Sequence, residues 1–159
     1  MALRGRLQQA SSCSFEAEVT ADYGETVYSF TLSCVGDAKG NLTFTVAAPE
    51  SIAGITGSIS AQGGALTFDE TALQFDLLAD GQTAPVCAPW IMLHTLMGGY
   101  LTAACQEESG LRLTLDDRYE DGALTVDVWL DGEDLPEKAE ILFDGRRILS
   151  LAIRNFTIV

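Results

Sequence analysis

From Cys13 onward, apolar and polar residues alternate with a period of two, the mark of strands that bury one face. Cys13, Phe15, Ala17, Val19 and Ala21 form one apolar set, and Tyr28, Phe30, Leu32 and Cys34 form the next. A two-residue turn at Tyr23-Gly24 predicts a hairpin in which Cys13 stands opposite Cys34. A slip of one residue would mix apolar with polar positions, so the faces are well determined. The alternation continues through Leu42, Phe44, Val46 and Ala48, then Ile55, Gly57, Ile59 and Ala61. A Gly63-Gly64 turn is expected to return the chain through Leu66 and Phe68, and a turn at Glu70-Thr71 through Leu73 and Phe75. After residue 110, Leu111 to Leu115, Leu124 to Leu130, Ala139 to Phe143 and Leu149 to Ile153 repeat the pattern. Short turns and the lack of βαβ spacing predict an antiparallel meander of roughly ten strands.

One stretch has a different rhythm. From Pro89 to just past Gly98, Trp90, Leu93, His94, Met97 and Leu101 follow helical spacing, while Ile91 and Leu96 make the remaining surface apolar too. A helix apolar almost all round belongs in an interior. Ten strands spaced about 4.8 Å apart span roughly 48 Å, against about 10–12 Å for one helix. A flat sheet would leave most of its apolar face bare, so it must curl around the helix as an incomplete barrel. Incomplete filling of that concavity would leave an apolar cavity. The fold class is therefore mainly β: a curled antiparallel meander with one buried plug helix around 89–98. Residues 1–12 read as a short N-terminal helical segment, with Leu3, Leu7 and Ala10 on one side, and 13–159 as the half-barrel domain.

Charge narrows the partners. Of 159 residues, 23 are acidic and 9 basic, a formal net charge of −14, and Gln8–Leu111 contains a single basic residue, Lys39. Nucleic-acid binders neutralise phosphates with clustered Lys and Arg, so nucleic acid is excluded as a free-standing partner. With 47% apolar residues and 20% charged ones, disorder is excluded as well. No segment has the roughly 18–20 continuous apolar residues of a membrane-spanning helix.

The layout resembles the LolA/LolB-like fold of bacterial lipoprotein carriers. Three features carry the resemblance: Thr83-Ala-Pro85-Val-Cys87-Ala-Pro89-Trp90 entering the buried helix, Leu135-Pro136-Glu137-Lys138-Ala139-Glu140-Ile141 leading to the Phe143-Asp144-Gly145 turn, and the closing strand Leu149 to Phe156. It looks closest to LolA-like lipoproteins of bacteria lacking an outer membrane. The resemblance implies an extracytoplasmic, cell-envelope, non-catalytic domain that binds a lipid or the acyl chain of a lipoprotein, without a cofactor. It also implies membrane association only through a lipid anchor preceding this chain. LolA-type carriers hold a lid closed with an arginine on an early strand, whereas Cys13–Gly36 contains no basic residue. The alternative reading is a cell-envelope protein-interaction module with a fully packed barrel and no ligand.

The residues expected to line an apolar cavity are Phe15, Phe30, Phe44, Phe68, Phe75, Trp90, Leu93, Met97 and Trp129. The same side chains equally suit a filled core. Cys13 and Cys34, opposed at a non-hydrogen-bonded position, would be within disulfide reach, or else two buried thiols. Cys87 and Cys105 bracket the helix, too far apart for a bridge if it is straight. His94 reads as a core or lid histidine, since no nucleophile is recognisably paired with it. No cysteine pair has zinc-ligand spacing, and the acidic runs at Asp116-Asp117 and Asp131-Gly132-Glu133-Asp134 read as turn chemistry rather than a cation loop.

Overall fold

A computed structural model describes residues 2–159 except 23, 26, 69–70, 76–77, 80–81 and 119–122, and describes no side chains from 68 to 83. The chain begins with α1 (Ala2–Gln9) and continues through β1 (Ser12–Asp22), β2 (Val27–Asp37), β3 (Leu42–Ala48), β4 (Thr56–Ser60), β5 (Gly63–Phe68) and β6 (Thr71–Phe75). Two short strands, β7 (Leu78–Ala79) and β8 (Gln82–Thr83), form a small ladder of their own. A single 3₁₀ turn at Pro85–Cys87 opens into α2 (Ala88–Gly98). Five strands follow: β9 (Tyr100–Glu107), β10 (Gly110–Asp116), β11 (Leu124–Leu130), β12 (Pro136–Phe143) and β13 (Arg146–Ile158).

Eleven of these strands form one antiparallel sheet in the order β6-β5-β4-β3-β2-β1-β13-β12-β11-β10-β9, open between β6 and β9. The first and last strands of the chain meet in the middle, with Cys13 opposite Ile158 and Ala21 opposite Leu149. The sheet is thus two meanders zipped together by the chain's two ends, and the segment containing α2 links one half to the other. Burial alternates as the sequence predicts: Phe15, Ala17, Val19 and Ala21 in β1, Leu42, Phe44 and Val46 in β3, and Val126 and Val128 in β11 all point inward.

Eight of the eleven residues of α2 are buried. The helix touches β2, β13, β12, β11 and β10, which together with the intervening β1 occupy six adjacent places in the sheet. Those strands span about 24 Å at 4.8 Å spacing, twice a helix diameter, so only a curved sheet reaches all of them. The predicted plug helix and open, curled sheet are both present.

The register of the first hairpin differs from expectation. Asp22 pairs with Val27, leaving four residues in the connection, and Cys13 stands opposite Gly36 while Cys34 stands opposite Phe15. A shift of two residues preserves both faces, so side-chain alternation has no power to detect it. The β4–β5 hairpin turns at Ala61-Gln62 rather than Gly63-Gly64, because Ser60 pairs with Gly63 and Ile59 with Gly64. The short β7 and β8 went unread in the sequence, and so did one strand of the large sheet: β9, where every residue from Tyr100 to Gln106 is exposed and no burial alternation exists.

Candidate functional site

The concave face is filled chiefly by α2. Trp90 and Leu93 are buried in the core with Phe15 and Phe44, and Phe30 and Met97 pack partly buried against it. Phe15 stacks on Phe156 with ring centroids 5.1 Å apart. The Trp90 indole donates to the Gly40 carbonyl at 2.9 Å, tying the start of α2 to the β2–β3 turn. Gly36 makes room for the helix: a Cβ there would lie 2.6 Å from Leu93 Cδ2 and 3.0 Å from Cys13 Sγ. Six of the nine residues expected to line a cavity are therefore packing residues. The side chains of Phe68 and Phe75 lie outside those described.

Trp129 is on the other face. Val128 and Leu130 point inward, so parity turns Trp129 outward, where its indole donates to Glu107 Oε2 at 2.9 Å. Lys138 Nζ sits 4.4 Å from the centre of its ring, and Arg112 beside it is ion-paired with Glu107 at 2.9 Å. Opposed across the sheet, Arg112, Trp129 and Lys138 form a row on which long charged side chains shield an aromatic ring. Its burial results from this cover and not from the interior.

His94 is exposed, unlike the core or lid histidine the helical spacing implied, and stacks on Trp90 at 4.5 Å. Cys13, Cys34 and Cys87 are buried free thiols and Cys105 an exposed one. Burial pushes the Cys87 thiol up to about 12, and burial together with the neighbouring Cys13 pushes Cys34 further in the same direction. Such thiols are inert, small apolar groups rather than nucleophiles. The acidic turns are self-capped: Asp131 Oδ1 accepts from the Glu133 and Leu135 amides, and Asp37 Oδ1 from those of Lys39 and Asn41.

Over α2 lies α1, whose Leu3 and Leu7 are buried. Arg4 donates from Nε to Leu96 O at 2.7 Å and from Nη2 to Gly99 O at 2.7 Å and Thr95 O at 3.3 Å. Gln8 donates to Met97 O at 2.9 Å. The arginine that holds the helical layer here is on the N-terminal helix, not on an early strand.

An apolar opening lies beside these helices. Ala2, Leu3, Leu101, Leu111, Leu113 and Leu130, with Asp134 at the rim, surround a half-open cavity of about 300 Å³ between α1 and β9–β11. Leu101, at its mouth, is 47% exposed. None of the seven expected lining residues whose side chains are described borders it. Leu111, Leu113 and Leu130 were legible as inward positions, but their lack of helical cover depends on where α2 ends. Two larger depressions, of about 670 and 460 Å³, lie over β2–β5; Thr43 and Ser58 line both, and Phe44 borders the smaller.

No protein-family model matches the sequence, and no curated protein matches it. Solved structures do. An uncharacterized conserved protein from Thermus thermophilus is similar with a TM-score of 0.53 and 12% identity, over 99% of this chain and 85% of that one. A domain provisionally named as outer membrane lipoprotein-sorting, from Vibrio parahaemolyticus, has a TM-score of 0.53 and 9% identity, over 99% and 89%. A LolA superfamily protein from Nitrosomonas europaea has a TM-score of 0.49 and 10% identity, over 99% and 92%. At such identities the likeness speaks for the fold alone, and that fold is LolA-like.

Proposed function

We propose that this chain is a non-catalytic, extracytoplasmic binding domain that takes one apolar chain, from a lipid or an acylated protein, at the corner between α1 and β9–β11. The cavity there carries the reading: five leucines and Ala2 around about 300 Å³, at the lower end of the volumes of ligand sites. That size matches a single chain rather than a whole lipid. The outer-membrane lipoprotein-sorting role in the name of the Vibrio parahaemolyticus domain supports the same direction and, with it, an extracytoplasmic location. Titration of the purified protein with palmitic acid and with a palmitoyl lysophospholipid, followed by native mass spectrometry, tests it. One ligand per chain is expected, and Leu101→Glu at the exposed mouth should abolish binding while leaving stability within about 0.5 kcal/mol. Failure of both probes to bind, or undiminished binding by the variant, overturns the reading.

The runner-up, a protein-interaction module with a packed interior, is favoured by one observation: α2 with Phe15 and Phe44 fills the concavity beneath Trp90–Met97. Under that reading the corner stays empty and the domain acts through its outside.

A further inference from the structure

β9 is a sheet edge. It pairs with β10 on one side, and among the described residues no strand pairs with the other. Edge strands invite further pairing, and proteins guard them with Lys, Pro, inward charges or short length. β9 has eight residues, no Pro and no Lys, and no charge from Tyr100 to Gln106. One register irregularity falls at Thr102, and Ala103–Glu107 beyond it runs regularly against Gly110–Thr114. Both faces of the strand are open, with Tyr100 39% and Leu101 47% exposed.

Carboxylates mark both ends of this uncharged edge. Glu107 and Glu108 stand at one end, and Asp116, which pairs with Tyr100, stands with Asp117 at the other. The nearby cations are Arg4, whose guanidinium is committed to the Gly99 carbonyl, Arg112, tied to Glu107, and Arg118. This arrangement selects the occupant. A second copy joined antiparallel with Ala103 against Ala104 would bring Glu107 of each copy against Tyr100 and Asp116 of the other, like charge on like charge at both ends. An extended segment with basic residues flanking an uncharged middle meets opposite charge at both ends instead.

We propose that β9 is a strand-addition site for an extended, cationic-flanked segment of a partner protein. Main-chain hydrogen bonds to the free edge supply the attachment, and the four carboxylates supply register and selectivity. The site goes beyond the apolar-chain reading and stands without it, since it uses the backbone edge rather than the cavity.

The test uses synthetic peptides of about ten residues, alternating Thr and Val and ending in lysines or, in a control, in glutamates. Amide hydrogen exchange of the whole chain locates the bound peptide. The lysine-ended peptide is expected to bind, to protect amides within Ala103–Glu107, and to weaken as salt is raised. The glutamate-ended peptide should bind at least about tenfold more weakly. Ala104→Lys, at an exposed position that leaves the fold intact, should weaken the lysine-ended peptide, whereas Ala104→Ser should not. Equal binding of the two peptides, protection outside β9, no binding of either, or a dimer forming through β9 in sedimentation each overturns the proposal.

Discussion

Arg4 and Leu96 are joined across the two helices by a 2.7 Å hydrogen bond from the guanidinium Nε to the main-chain carbonyl. The last carbonyls of any helix lack intrahelical partners, and a cation there also meets the negative end of the helix dipole. By reaching Thr95, Leu96 and Gly99 at once, one side chain caps α2 and anchors α1 over it. Arg4→Met retains the apolar stem and loses every one of these bonds. A loss of about 2–3 kcal/mol in urea denaturation is expected, the range for a hydrogen-bonded charge left without replacement. Arg4→Lys, without the planar fork, should recover only part of it.

Gly36 and Leu93 set how closely α2 approaches the sheet. Gly36→Ala places a methyl 2.6 Å from Leu93 Cδ2 and 3.0 Å from Cys13 Sγ, so the helix or the leucine must move. Overpacking of this kind costs about 1–3 kcal/mol. The pairing is checked by the double variant Gly36→Ala/Leu93→Ala, which should lose less stability than the sum of the two single changes, because the cavity left by Leu93 admits the new methyl.

The buried thiols make stability fall at high pH. Cys87 titrates near 12 in the folded chain against 9.0 for an unperturbed thiol, so between these values the unfolded chain has lost a proton that the folded chain retains. Stability from this group is complete below about pH 9 and declines by about 1 kcal/mol per pH unit above it. Cys34 and Cys13, raised in the same sense, add to the slope. Cys87→Ala should flatten the curve between pH 9 and 11, whatever it does to stability at neutral pH. A disulfide reagent at pH 8 should label Cys105 rapidly and the three buried cysteines only on unfolding.

Particular residues show how far alternation carries. It placed Phe15, Phe44, Val126 and Ile141 on the buried face, and it already put Trp129 on the opposite one from Val128 and Leu130. Treating Trp129 as cavity lining followed its hydrophobicity instead of its parity. The shielding by Lys138 and Arg112 that makes an outward tryptophan tolerable depends on neighbours two strands apart. The apolar corner was invisible for a related reason. Its walls come from α1, β9, β10 and β11, and α2 covers the neighbouring leucines but stops at Gly98. β9 itself has no alternation to read, because an edge strand with both faces wet places no hydrophobic demand on either one.

By itself, the sequence determined the two-sided strands, their antiparallel succession, the burial of Pro89–Leu93 and the resemblance to the LolA-like fold. These are local properties, set by which side of each residue avoids water. The tertiary structure alone decided the pairing of β1 with β13, the two-residue shift of Cys13 against Cys34, the capping of α2 by Arg4 and the free edge at β9. Each of these depends on contacts between segments far apart in the chain or on turn length, to which a period of two is blind.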